Sequence, residues 1–166
     1  MVIRQKGKAD MRRKEREVKD TKEIKAILER ADVLRLALNN GVYPYVIPVN
    51  FGFTMEADQL ILFFHGAKEG TKNQLIEKDP HVTFEVDGGH QLIQPEGKES
   101  CTASFAYESV IGHGIVEEAA EEEKEKLLTL LLAHYGIDLK KFHPGLFAST
   151  AVYKIKVESY TAKHRI

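Results

Sequence analysis

Leu60-Ile61-Leu62-Phe63-Phe64-His65 is followed at once by Gly66-Ala67-Lys68-Glu69-Gly70-Thr71-Lys72-Asn73-Gln74-Leu75, an apolar run that breaks into small and polar residues. Gln59 to His65 is a strongly β-forming run of aliphatic and aromatic residues. The small residues after it make a turn. The turn runs into a helix anchored by Leu75 and Ile76 and stopped at Asp79-Pro80, because a residue before proline is pushed out of the helical region. The first N–H groups of such a helix lack partners and carry partial positive charge, an arrangement that suits a phosphate. Gly66, Ala67 and Gly70 let the backbone come close to a ligand. Lys72, with Lys68, supplies countercharge, and Thr71 adds a hydroxyl. The same features also describe an ordinary helix start.

Upstream, Asp20 with Glu23 three residues on signals a helix start, and Ile24, Ile27 and Leu28 share one face. Val33 to Leu38 reads as a strand, and Asn39-Asn40-Gly41 as a hairpin turn, since Asn and Gly accept positive φ cheaply. Tyr43 to Phe53 is strand-like but holds Pro44 and Pro48, which demands an edge or a bulge. Met55 to Asp58 reads as a turn. Downstream, His81 to Val86 is a strand, Asp87 to His90 a turn, and the loop runs on through Lys98. Cys101 to Ala106 and Glu108 to Val116 are two strands or one bent strand. An acidic helix from Ala120 to Tyr135 buries Leu127, Leu128, Leu131 and Leu132 and ends at Gly136. His143-Pro144-Gly145 is a turn, and Ala151 to Thr161 is the last strand. This sums to six or seven short strands and three helices without βαβ alternation. The fold class is mainly β with flanking helices, and a closed antiparallel barrel removes the edges most economically.

The 166 residues suit one domain, divided here into a basic arm, 1–19, and a domain, 20–166. The formal net charge of -1 argues against a nucleic-acid binder. The basic residues do crowd the arm, at Arg4, Lys6, Lys8, Arg12, Arg13, Lys14 and Arg16. They are a solvated tail, or they approach an anionic ligand or a partner subunit. One cysteine, Cys101, points to a reducing compartment and reads as a buried thiol. No apolar run approaches the ~18 residues of a membrane span. The expected location is therefore the cytoplasm, without membrane contact.

Two further stretches carry chemistry. In Tyr45-Val46-Ile47-Pro48-Val49-Asn50-Phe51 the proline frees backbone groups that can bond the polar edge of a flat heterocycle, or it merely marks an edge strand. In Tyr107-Glu108-Ser109-Val110-Ile111-Gly112-His113-Gly114 the alternating glycines mark a bulge, or a close approach by ligand or chain.

Taken in order, Pro44 to Phe51, His65 to Lys72, Val82 to Asp87, Cys101 and Tyr107 to Gly114, together with Met11 to Glu17, resemble the 5-nitroimidazole resistance group of the pyridoxamine 5′-phosphate oxidase-like split barrels. The resemblance covers nearly the whole chain from about Met11. It implies a six-stranded antiparallel split β-barrel of the FMN-binding type, and a homodimer with its two FMN sites between subunits. By position it implies that Val46, Pro48, Val49 and Asn50 lie along the isoalloxazine through their backbone. His65, Gly66 and Ala67 would border the ring and ribityl chain, Lys72 would pair with the phosphate, and Ser109 and Val110 would line the site. Thr71 stands where relatives often carry a base, and Lys68 can substitute.

The expected activity is that of a flavin-dependent oxidoreductase passing electrons from NADH or NADPH to a small aromatic or nitro-type acceptor. His65 is the candidate to hold substrate or donate a proton. The alternative is a non-catalytic carrier or sensor of flavin or haem, with His164 in the basic tail as the haem candidate. His81, His90, His113, His134 and His143 show no metal-ligand spacing, and no metal site is expected.

Overall fold

The computed structural model describes residues 12–56, 59–95, 97, 102–139 and 141–165. Its elements in chain order are β1 (Glu17–Val18), α1 (Thr21–Arg30), β2 (Leu34–Leu38), β3 (Tyr45–Val49), β4 (Phe51–Glu56), β5 (Gln59–Ala67), α2 (Thr71–Lys78), β6 (His81–Ile93), β7 (Ser104–Glu118), α3 (Glu121–His134), α4 (Pro144–Ser149) and β8 (Thr150–Arg165), with a 3₁₀ turn at Lys14–Arg16.

All the pairings are antiparallel. The strands run β3-β2-β6-β7-β8-β5-β4 across one sheet, with β1 paired to β8. The edge strands β3 and β4 are consecutive in the chain and separated only by Asn50. The sheet must therefore curl until its two edges meet at one residue. Chain continuity, not a ladder of hydrogen bonds, closes the ring, and that is the split of a split barrel. The crossing is pinned by Tyr135. Its hydroxyl accepts from Phe51 N at 3.0 Å and donates to Asp32 O at 2.7 Å.

The expected mainly β fold with flanking helices is present, but the sheet has eight strands rather than six and is not a closed ladder. The difference arises because the proline-bearing segment divides at Asn50 and because Glu17–Val18 leaves the basic arm to pair with Lys163 and Ala162. Three other expectations are corrected. β6 does not end at Val86. It continues through Asp87 to His90, absorbing the turn residues in a bulge between Gly88 and Gln91. The two segments after Cys101 form one long strand, bulged at His113/Gly114. Pro144 does not sit in a turn but opens α4, where its missing N–H costs nothing. Cys101, the start of the arm and Ala57-Asp58 of the 55–58 turn lie outside the described residues.

The apolar run of β5 is continuous because both its faces are covered. Leu60, Leu62 and Phe64 point inward with Ile24, Ile27 and Leu28 of α1, Leu34, Leu36 and Leu38 of β2, and Phe84 of β6. Phe63 points outward beneath Leu127, Leu128 and Leu131 of α3. Gly52 permits this second packing, since a Cβ there would run into the Phe63 ring and come within 3.1 Å of the Leu131 backbone. Asp20 caps α1 by accepting from Lys22 N at 2.7 Å and Glu23 N at 3.3 Å, a contribution of about 1 kcal/mol. No helix among the described residues is long and apolar enough to cross a membrane.

Candidate functional site

The strand–turn–helix corner forms as the sequence indicates. β5 ends at Ala67, and Gly70 takes φ 124° at the cap of α2, a conformation that excludes a side chain. Gly70 O accepts from Asn73 N at 3.1 Å and Gln74 N at 3.2 Å. Having no side chain, Gly70 offers nothing to the amides of Thr71 and Lys72. Asn73 Nδ2 donates to Ala67 O at 3.0 Å and so ties the helix back to the strand it follows.

Lys72 is the unusual member. Its Nζ is buried, with no hydrogen-bond partner among the described residues. It lies 4.2 Å from the ring centre of Tyr153 and 5.4 Å from that of Phe64. Those two rings are stacked on each other at 5.2 Å. A Cβ on Gly66 would come within 2.8 Å of the same Nζ. Burial pushes the Lys72 pKa down, and the charge of Glu118 partly restores it. Burial raises the pKa of the Tyr153 hydroxyl, Glu118 adds to that, and Asn73 opposes it. Phe64 and Asn73 lie within the β5–α2 stretch 60–75, whereas Tyr153 and Glu118 carry no local sequence signal of a site.

His65 is exposed, yet partial burial lowers its pKa, and the Lys72 charge lowers it further. A histidine depressed in this way stays neutral when folded, while the unfolded chain takes up the proton. The stability it contributes is therefore present above the ordinary histidine pKa and is lost as pH falls toward the folded value. By NMR titration His65 is expected to protonate below the ordinary midpoint of about 6.5. Lys72→Met should move that midpoint part of the way back up. A midpoint indifferent to Lys72 would contradict the arrangement.

The remaining expected residues fall into two groups. Phe51 and Phe64 are paired, so Asn50 and His65 are the next residues beyond that pair, at the β3–β4 crossing. Lys68 and Thr71 are exposed on the corner itself. Val46 and Pro48 face outward on β3, opposite Ala37 and Arg35, and Val49 turns toward the core. Ser109 and Val110 stand apart from these in one chain. Val49, Leu34, Val86 and Val110 make one inward row across four strands. Ser109 is thus three strand spacings from the crossing, roughly 14 Å measured along the curled sheet. The Val110 side chain is fully buried in the core, so only its backbone is available to a ligand. Ser109 lies in the neighbouring outward row, opposite Asp87 and Lys163.

The glycines of β7 serve the chain. A Cβ on Gly112 would meet Ser159 O at 2.5 Å and the Phe84 ring at 2.6 Å, and one on Gly114 would meet Lys156 O at 2.5 Å. His164, the haem candidate, is engaged with Glu23 through Nδ1 at 2.8 Å. An open groove lined by Asn39, Pro44, His81, Thr83, His113 and Glu158 contains none of the expected site residues.

A curled antiparallel sheet whose edges meet at Asn50, with an anion-ready corner beside the meeting point, is a split barrel of the ligand-binding kind. The chain belongs to the pyridoxamine 5′-phosphate oxidase family, whose model matches residues 20–164. Among solved structures it is similar to a candidate 5-nitroimidazole antibiotic resistance protein of Bacteroides thetaiotaomicron, at 27% identity over 89% of this chain and 86% of that one, with a TM-score of 0.75. This agrees with the resemblance read from the sequence. An FAD and heme binding protein of Mycobacterium smegmatis shares the fold at 17% identity, 90% and 73% coverage and a TM-score of 0.74. So does an FAD-binding protein of Mesorhizobium loti, at 21% identity, 91% and 98% coverage and a TM-score of 0.61. Curated proteins give no match.

Proposed function

We propose that the chain is an FMN-binding oxidoreductase that passes electrons from a reduced nicotinamide to a small aromatic or nitro-type acceptor. One observation carries the reading: Lys72, in the first turn of α2, has a buried ammonium with no hydrogen-bond partner among the described residues, and the cap of that helix offers its amides no side-chain acceptor. A buried cation without a partner is costly, and a phosphate at this corner supplies the missing acceptors. The family match and the flavin-binding proteins among the structural neighbours support a flavin as the bearer of that phosphate. A terminal phosphomonoester, with its higher charge, favours FMN.

Lys72, Thr71 and Lys68 hold the phosphate, Gly66 and Ala67 admit the ribityl chain, and the backbone of Val46, Pro48, Val49 and Asn50 lines the ring. Bound flavin supplies the electron-transfer chemistry. His65, neutral at physiological pH, orients the acceptor by donating its single ring N–H. A second copy of the chain completes the site and brings in Ser109 and the backbone of Val110. It docks on the outward face that leaves Val46 and Ile111 half exposed. The lone cysteine fits a cytoplasmic setting.

The experiment mixes the FMN-loaded protein with NADH or NADPH and a nitroaromatic. Flavin bleaching by the nicotinamide, reoxidation by the acceptor, and slower turnover in His65→Ala with FMN still bound are expected. Bound flavin that neither donor bleaches would leave a non-catalytic flavin carrier. Undiminished turnover in His65→Ala would remove the histidine from the chemistry.

A further inference from the structure

The lysine that the flavin reading assigns to the phosphate is not where a phosphate can touch it. Its Nζ is covered in the structure. It lies on the inward side of the strand backbone at Gly66, over a shelf made by two inward-facing rings, Tyr153 of β8 and Phe64 of β5. An oxyanion seated on the exposed turn at Lys68 to Thr71 reaches this ammonium only if the lysine tip moves. The side chain is long and flexible, and the position it would leave offers no hydrogen bond among the described residues, only the faces of two rings and the charge of Glu118. A ring face attracts a cation by its quadrupole, and in a desolvated setting the attraction matches a modest hydrogen bond.

We infer that Lys72 is a two-position latch, resting on the Tyr153–Phe64 shelf in the ligand-free chain and swinging from it to the phosphate when FMN binds. The inference rests on the flavin reading for the identity of the ligand, but the movement belongs to any phosphate monoester at this corner. Tyr153 is a positioning residue in this scheme. It never touches the ligand, and it sets how firmly the cation is held back. The latch also makes the corner discriminate. A flavin without a phosphate has nothing to draw the lysine off the rings, so it binds with the rest position still filled.

The wild-type protein tests this directly by NMR of Lys72, assigned by comparison with Lys72→Met. In the flavin-free protein the Lys72 ε-methylene protons should show strong upfield ring-current shifts. Added FMN or inorganic phosphate should return them to ordinary positions, and riboflavin should leave them displaced. Ordinary positions in the free protein, or displaced protons that stay put when FMN is bound, would overturn the latch. If neither flavin binds, the flavin reading fails, and the inorganic phosphate titration alone decides the latch. A phosphate-insensitive signal overturns it.

Tyr153→Leu supplies the second arm. Removing the main ring of the rest should raise FMN affinity relative to riboflavin about fivefold, the equivalent of a cation–π contact of about 1 kcal/mol. Tyr153→Phe, which keeps the ring face, should leave the ratio within about twofold of wild type by the same reckoning. An unchanged or lowered ratio in a folded Tyr153→Leu contradicts the latch, and if that variant does not fold the wild-type NMR result stands by itself.

Discussion

Replacing Lys72 with methionine is expected to weaken FMN binding about 10- to 100-fold, the usual yield of a hydrogen bond to a charged group, while riboflavin binding stays within about twofold. Methionine keeps most of the apolar stem that packs against Phe64 and Tyr153 and removes only the ammonium. A folding defect would weaken both flavins together, so the ratio isolates the charge. The effect is large because the corner has few other cations. Thr71 carries no charge, and Lys68 is exposed to solvent, which screens its charge. FMN binding that survives Lys72→Met intact would transfer the phosphate to another surface of the protein.

The second large effect is on stability. Gly112→Ala should cost about 3 kcal/mol, the upper part of the range for forcing a methyl into a packed site. The first obstacle to the new Cβ is Ser159 O at 2.5 Å, a backbone atom, and the second is the Phe84 ring at 2.6 Å in the core. Neither is the loose end of a flexible chain. Relief requires opening the β7–β8 ladder where it is already irregular, between His113 and Gly114. For a domain of this size the loss corresponds to a fall in Tm of very roughly 10 °C. Urea unfolding of the variant measures it. A loss below about 1 kcal/mol would mean that β8 can shift away at its bulge.

Much of this was legible in the sequence where the determinants are local. The β5 run, the small-residue junction and the Leu75–Ile76 anchors lie within a single stretch, and the Asp20 cap is a contact across three residues. The losses were non-local or ambiguous. Asp87-Gly88-Gly89-His90 is composed like a turn, yet the bulge at Gly88/Gln91 lets β6 run through it. Pro144 is equally at home in a turn and in the first turn of a helix, and only the chain around it decides for α4. Glu17–Val18 becomes a strand because Lys163 and Ala162 offer an edge almost the whole chain away.

The site shows the same division. The turn and Lys72 were found from their neighbours in sequence. Tyr153, whose ring holds the lysine, stands about eighty residues downstream, and no local pattern connects the two. Ser109 and Val110, adjacent in sequence, are both expected to line the site. Strand alternation separates them, sending Val110 into the core and leaving Ser109 on the outward face.

If the function proposed above is right, the corner between β5 and α2 holds the phosphate of a flavin. The most direct test saturates the purified protein with FMN, removes the excess by gel filtration, records the visible spectrum, and identifies the released cofactor by chromatography. A retained flavin spectrum that comes entirely from FMN is expected. A colourless protein that sheds all added FMN, or one that carries a haem band in its place, would contradict the proposed function.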